Sequence, residues 1–512
     1  MVSKALGLIA GAGLSVGYLE RTSDSNSWWS SLTCVRFSRA AIAAFLVSLD
    51  YKWSLSSLKE TEYNEMKSHI HRRSAQRLLR MCRKNGGCYI KIGQHIGSLE
   101  YLLPAEYVQT FKVFHSNAPQ TPLDRLRKVI QEELNVSASA LLTDFEGEPL
   151  GAASLAQCHK AVLKETGEVV AVKIQHPGVM KNALTDMATV DFLVYCASKV
   201  FPSFQFGWLA DGVRKNLPQE LDFRIEAQNM DKCSRLFNLN NINFVKIPKV
   251  HIATKRLLVM EYCEGGKIND IQYIKDNKLS VNEISLCVSE MYSRMIYSYG
   301  FMHCDPHPGN VLVRRKEGRE GVGGGKGNVE IVLLDHGLYQ QLTDDFRMTY
   351  CKLWDGLMRK DMDAIRVHCL SLNAGDLYPL LACMISARTW NSIERGITKA
   401  SRSNSEVGEI GTEVVNYFSE ITQLLDKVPS QLLLILKTND LLRSIDHTLQ
   451  SSSHTHSFIT MSKVCIETIG EEDRKWAESL RRSVQAIMIT KWKLFLLYLF
   501  EWWVWLRPHE FQ

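Results

Sequence analysis

The 512-residue sequence holds 13 scattered cysteines but no C-x-x-C pair. That excludes a zinc ribbon, and the odd count argues against a disulfide framework, so buried thiols in a reducing compartment are the expectation. The net charge is only +6, which gives a nucleic-acid partner no footing. Neither end offers a clean membrane span: Ala5–Leu19 is short and glycine-rich, and Lys491, Lys493 and Glu501 interrupt the Trp-rich Val484–Leu506. What is present in quantity is apolar: 45% hydrophobic and 23% charged residues can bury a sizeable core. The length suits two to three domains, or one large domain with extensions.

The two ends carry targeting-like or membrane-like character. Ala5–Leu19 matches a signal-peptide core, whereas residues 25–49 are Ser-rich, lack acids and include Arg36 and Arg39, as mitochondrial transit sequence does. Free cysteines favour the mitochondrion over secretion. At the other end, Trp492, Trp502, Trp503 and Trp505 beside lysines suit a membrane interface, and a helix docked on the core is the alternative.

Between the ends, helical pattern runs from Glu65 to about Tyr107 with a break at Gly86-Gly87. A further helix is expected from Thr121, with Thr121 as N-cap, Pro122 at N1 and a buried stripe of Leu123, Leu126, Ile130 and Leu134. PLGAASLAQCHKAVL and VVAVKI read as two strands joined at the turn Glu165-Thr-Gly-Glu. Pro218 is expected near the start of a helix reading PQELDFRIEAQNM, and 256–262 (RLLVMEY) as a buried strand ahead of Gly265-Gly266. Ile284, Cys287, Val288, Met291 and Met295 stripe a helix that stops at Gly300. RRKEGREGVGGGKGN reads as a flexible hairpin tip, and VEIVLLDHG as a strand running into Asp335. From Phe346 to about Ile469 the pattern is helical, without repeats.

The stretch FMHCDPHPGNVLV (301–313) admits three readings. Asp305 and Asn310 fit the H-x-D-x-x-x-x-N spacing of a phosphoryl-transfer loop. His303 and His307 lie i, i+4 like a metal pair, but Pro306 and Pro308 forbid the helix such a pair needs. A plain surface turn is the third, since Asp, Pro, Gly and Asn are turn residues.

The surrounding order decides among them. A small-residue loop between strands is followed by Lys173 on the next strand, an acidic helix, the hinge strand 256–262 that bears Glu261, a helix, the Asp305 loop, a strand and Asp335-x-Gly. That is the order of parts in a protein-kinase fold. A loop with minimal side chains brings backbone N–H groups to phosphates. Lys173 offers a point charge and needs a helix carboxylate, Asp305 can take a proton, and Asn310 with Asp335 can hold Mg2+. The departures are as plain: Gly151-Ala152-Ala153-Ser154-Leu155-Ala156-Gln157 replaces G-x-G-x-x-G, Cys304 replaces the loop arginine, His336 gives D-H-G, and no A-P-E follows.

These departures resemble the aarF-domain-containing (UbiB-like) atypical kinases. The matching residues are KIGQ at Lys91–Gln94, GAASLAQCHKA at 151–161, AVKIQHPG at 171–178, ELDFRIEA at 220–227, FMHCDPHPGNVLV and LLDHG at 333–337. The resemblance implies an α+β, protein-kinase-like bilobal fold with a helical N-terminal extension and a helical C-terminal tail. It implies ATP or ADP with Mg2+ as cofactors, and Gly151 to Gln157, Cys158, His159, Lys173 and Glu261 around the nucleotide. It implies Glu226 as partner of Lys173, although Asp222 at i−4 reads as sharing its helix face. Lys91, Gln94, Glu220 and Asp222 would gate the substrate cleft.

The implied layout is a targeting segment at 1–55, a KIGQ-bearing extension at 56–120, lobes at 121–263 and 264–460, and a Trp-rich tail at 461–512. The family's ties are to the mitochondrion, coenzyme Q and membrane lipids. A small or lipid-like substrate and membrane or inner-membrane protein partners are therefore expected, and neither nucleic acid nor structural zinc. A kinase-fold scaffold that organises membranes without catalysis is the rival expectation.

Overall fold

The computed structural model describes residues 33–55, 60–97, 103–115, 120–145, 147–201, 207–316, 327–395, 418–449 and 454–506. The signal-like Ala5–Leu19, the first part of the transit-like stretch and the centre of the glycine-rich tip lie outside them. The chain divides into two compact units. The first takes residues up to Ile225 together with Val250–Tyr262, and the second takes the rest.

The first unit begins with helices α1 (Thr33–Leu55), α2 (Glu60–Asn85), α3 (Cys88–Gly97) and α4 (Ala105–Phe111). α1 takes in residues 33–49 of the transit-like stretch. Arg36 is buried and donates from Nε to Asp186 Oδ1 at 2.9 Å, which ties α1 to the later helix Val179–Val200. Gly86 and Gly87 break α2 from α3 with φ of +66° and +52°, a backbone that side chains resist. Gly93 in α3 answers to packing instead, because a Cβ there would lie 2.6 Å from the Phe114 ring.

Helix α5 (Leu123–Leu134) starts one residue later than its sequence suggests, with Pro122 in the cap position and no side-chain cap. Thr121 is otherwise engaged: its hydroxyl bonds His176 Nδ1 at 2.8 Å and its N–H donates to Gln157 Oε1 at 2.8 Å. Leu126, Val129 and Ile130 of α5 pack on a six-stranded antiparallel sheet, with Leu123 and Leu134 only partly covered. The strands are β1 (Leu142–Thr143), β2 (Gly151–Ala152), β3 (Ala156–Leu163), β4 (Val169–Gln175), β5 (Val250–Ala253) and β6 (Leu257–Glu261). Their order is β1-β3-β4-β6-β5, with β2 folded back on β3. Val170, Val172, Ile174, Leu257 and Val259 supply its buried face.

Helices α6 (Val179–Val200) and α7 (Gly207–Glu220) follow, and Pro218 lies inside the end of α7 rather than at a start. The chain breaks at Leu221-Asp222 because the Leu221 carbonyl accepts from Gln175 Nε2 at 3.0 Å and α8 (Phe223–Leu239) begins afresh. Residues of α8 from Glu226 onward belong to the second unit.

In the second unit, β7 (Gly266–Lys267) precedes helix α9 (Val281–Ser293), which ends in a π-helical turn at Arg294–Ser298. Then come β8 (Phe301–His303), β9 (Val311–Arg315), β10 (Val329–Leu333) and β11 (Tyr339–Gln341). β9 and β10 pair antiparallel, with β7 beside β9 and the short strand Val245–Lys246 parallel to β10. β8 pairs with β11. The remainder is helical and includes α10 (Asp344–Arg359), α11 (Ser430–Leu449), α12 (His454–Lys475) and α13 (Leu480–Leu506). The thirteen cysteines are free thiols, and most of them are buried.

Candidate functional site

Each unit carries its own group of candidate residues. In the first, the KIGQ helix α3 meets the alanine-rich loop and the end of α7. Lys91 Nζ lies 2.7 Å from Glu220 Oε2, with side-chain exposures of 14% and 8%. Gln94 Nε2 donates to the Phe114 carbonyl at 3.0 Å, and its Oε1 accepts from Ser154 Oγ at 3.1 Å. A side chain withdrawn from water in this way needs its partner, so these bonds fix α3 against the loop.

The loop itself is a tight hairpin, closed by Ala153 N–H donating to the Ala156 carbonyl at 2.8 Å. None of its residues takes positive φ, so alanine fits without strain. Burial sorts the expected nucleotide set by how its side chains are placed. The side chains of Ser154, Leu155, Ala156, Gln157 and His159 are all buried. Leu155 packs with Cys88, Val179 and Leu217, while Gln157 Nε2 reaches His159 Nε2 at 2.8 Å and His159 stands edge-on to Phe145. What the loop exposes is Gly151 and Ala153, with Ala152 and Cys158 half-buried. One residue outside the candidate set, His176, holds it there through two bonds. His176 Nε2 donates to the Ala153 carbonyl at 3.0 Å, and the His176 N–H donates to the Leu155 carbonyl at 2.9 Å. Its signal was available in the Gln175-His176 pair directly after the Lys173 strand.

Lys173 sits on β4 between Cys158 of β3 and Leu258 of β6, and its ammonium lies 5.4 Å from the centroid of Phe223. Glu261 ends β6 opposite Val170. Asp222 precedes α8 instead of sharing its face. It accepts from the Arg224 N–H at 3.1 Å and pairs with the Arg224 guanidinium at 2.6 Å. The arginine hydrogen bond is the leading reason its carboxyl titrates below the usual range.

In the second unit, the β9–β10 register pairs Val311 with Leu333, and the Leu334 N–H donates to the Asn310 carbonyl at 2.9 Å. Asn310 and Asp335 are thus set at one end of the same ladder. Asn310 Nδ2 donates to the Asp305 carbonyl at 3.2 Å, which turns the amide oxygen into its acceptor end. Asp335 Oδ1 accepts from the Gly337 N–H at 3.0 Å. An amide oxygen and a carboxylate suit a hard cation that fills the rest of its shell with water and phosphate oxygens. Among the described residues no group of three or more His, Cys, Asp or Glu side chains could hold a metal by itself.

The imidazoles of the loop are structural. His303 is buried, its Nδ1 bonds Tyr292 OH at 2.8 Å, and burial holds its pKa below the ordinary value. His307 Nδ1 accepts from the Gly309 N–H at 3.1 Å. His336 of D-H-G is also buried, bonded to Tyr339 OH at 2.8 Å and to the Leu333 carbonyl at 3.0 Å. Glu226 Oε1 accepts from the His336 N–H at 3.4 Å, and Asn229 Nδ2 donates to its carbonyl at 3.0 Å, so α8 reads the Asp335 turn through backbone.

Asp305 has a partner that no motif announced. Lys437 Nζ of α11 lies 3.2 Å from Asp305 Oδ1. A lone lysine inside LLLILKTND was the available sign.

The ABC1 atypical kinase-like domain family matches residues 113–369. The chain is 47% identical over 471 residues to the Mus musculus AarF domain-containing protein kinase 1, covering 91% of this chain and 88% of that one. It is 43% identical over 499 residues to the Drosophila melanogaster AarF domain-containing kinase 1, covering 96% and 94%. Among solved structures, a Mycobacterium tuberculosis protein in complex with erythromycin is similar with a TM-score of 0.45 and 18% identity, covering 71% of this chain and 95% of that one.

Proposed function

Because the chain belongs to the ABC1 atypical kinase-like family, with its kinase-like fold, we propose that it binds a magnesium nucleotide and transfers or hydrolyses the terminal phosphoryl group. The observation that carries this reading is the β9–β10 hairpin, which brings the Asn310 amide and the Asp335 carboxylate to one end while Asn310 is braced on Asp305. In this reading Asn310 and Asp335 hold Mg2+, Lys173 supplies the charge for nucleotide phosphates, and Asp305 accepts the proton of the attacking hydroxyl. Bound Mg2+ offsets charge on the phosphate oxygens. Glu226 holds the turn at Asp335 in register.

A small or lipid-like substrate fits a chain without A-P-E and with Lys91 and Gln94 locked down. A membrane setting is supported by α13. Its stretch Leu480–Trp502 is long and apolar enough to cross a membrane, and Met488, Trp492, Phe495, Leu499 and Trp502 are exposed along it. Lys493, which interrupted the apolar run in sequence, turns inward to Asp355 at 3.2 Å. Mitochondrial lipid or coenzyme Q homeostasis is the process that the family resemblance suggests. A scaffold role has one observation in its favour, the internal pinning of the alanine-rich loop by Gln94 and His176.

The test is ADP release from Mg-ATP by the full-length protein, with and without vesicles of mitochondrial lipid composition. Asp305→Asn should reduce turnover by about 100-fold or more. A wild type no faster than Asp305→Asn under both conditions removes the enzymatic reading, and full rescue of a loss-of-function phenotype by Asp305→Asn selects the scaffold.

A further inference from the structure

We propose that Lys437 is the positioning residue for Asp305: it fixes the carboxylate by its ion pair and supplies the cation that the loop itself lacks. This rests on the phosphoryl-transfer reading above and adds to it a residue from beyond residues 113–369, the segment that matches the kinase-like family.

The pair is not a surface contact. The Lys437 side chain is 11% exposed and that of Asp305 25%. Around Lys437 on α11, Leu432, Ile435, Leu436, Thr438 and Asn439 are all buried. An ammonium in such surroundings is costly unless it meets an anion, and an apolar residue would serve stability as well or better. Packing alone therefore does not account for a lysine here.

The loop between Asp305 and Asn310 reads Pro306, His307, Pro308, Gly309 and holds no lysine or arginine. His307 spends Nδ1 as an acceptor for the Gly309 N–H. In the proposed transfer, a hydroxyl or water oxygen forms a bond to the γ-phosphorus and gives its proton to Asp305. The bond from that phosphorus to the bridging oxygen breaks, and its electron pair leaves on ADP. Carboxylate and phosphoryl group are both anionic, so their approach is repulsive without a nearby cation. Lys437 lies where that repulsion is offset, and its contact with Oδ1 fixes the rotation of the carboxylate.

The experiment compares full-length wild type, Lys437→Met, Lys437→Arg, Asp305→Asn and the Asp305→Asn/Lys437→Met double variant in Mg-ATP turnover, nucleotide binding and thermal unfolding. Lys437→Met should lower kcat by about 10- to 100-fold and leave Mg-ATP affinity within about threefold. Lys437→Arg should recover most of the rate. In the Asp305→Asn background, Lys437→Met should cost less than about a further twofold, because both residues act in one unit. If Lys437→Met does not fold, Lys437→Gln, which keeps a donor without charge, carries the same expectation. Wild-type turnover by Lys437→Met beside an inactive Asp305→Asn overturns this proposal alone, and so does an additive loss in the double variant. A wild type no faster than Asp305→Asn overturns the underlying reading together with it.

Discussion

Lys91 and Glu220 form a 2.7 Å ion pair with both side chains largely withdrawn from solvent. It ties the KIGQ helix to the end of α7, 129 residues away in sequence (220 − 91). Lys91→Ala leaves a carboxylate buried without its cation and should destabilise the protein by about 3 kcal/mol. The Lys91→Ala/Glu220→Ala double variant should recover part of that loss, because the stranded charge is gone. Urea unfolding of the two variants checks this, and a double variant no more stable than Lys91→Ala contradicts it.

Gly93 has no room for a side chain, since a Cβ would lie 2.6 Å from Phe114 Cδ2 and 2.9 Å from Phe111 Cδ1. Gly93→Ala should cost about 1–3 kcal/mol by forcing those rings aside. Adding Phe114→Leu should restore some of it. A melting temperature unchanged by Gly93→Ala would show that α3 shifts freely, and with it the Gln94–Ser154 bond.

His176 gives the alanine-rich loop a dependence on pH. Burial is the main cause that lowers its pKa below the ordinary 6.5, and the hydrogen bond to the Ala153 carbonyl opposes it. Because Nε2–H donates to Ala153, Nδ1 accepts from the Thr121 hydroxyl, and protonation removes that acceptor. The unfolded chain takes up the proton first, so stabilisation present above pH 6.5 is lost as pH falls through the depressed folded value. The protection factors of amides 151–157, which discount the intrinsic slowing of exchange in acid, should therefore fall as pH drops below 6.5. His176→Gln should flatten that dependence. Protection factors for wild type that stay equal above and below pH 6.5 contradict the role of His176.

How far the sequence discloses this site depends on the kind of interaction. Strands, hairpin turns and the ladder leading to Asp335 follow from local pattern, and the β9–β10 register then brings Asn310 to Asp335. The faces of α8 were ambiguous because periodicity cannot see that the Leu221 carbonyl is drawn to Gln175 and the helix restarts at Phe223. The alanine-rich loop reads as a phosphate cradle by composition, yet tertiary contacts bury Leu155, Gln157 and His159 inward. Thr121 fails as a cap for the same reason, its hydroxyl being taken by His176. Lys437 is the extreme case: its partner lies 132 residues away, and only an isolated charge in an apolar run hints at it.

The central claim is that Asn310 and Asp335 hold the cation of a bound nucleotide, and calorimetric titration of the full-length protein with ATP and ADP tests it most directly. In magnesium the wild type should bind, and in EDTA the affinity should fall by more than about tenfold. Asp335→Ala should abolish the magnesium-dependent part, and Asn310→Ala should weaken it less, because a carboxylate holds a hard divalent cation better than an amide. Equal binding in magnesium and EDTA, or wild-type affinity in Asp335→Ala, would contradict the account.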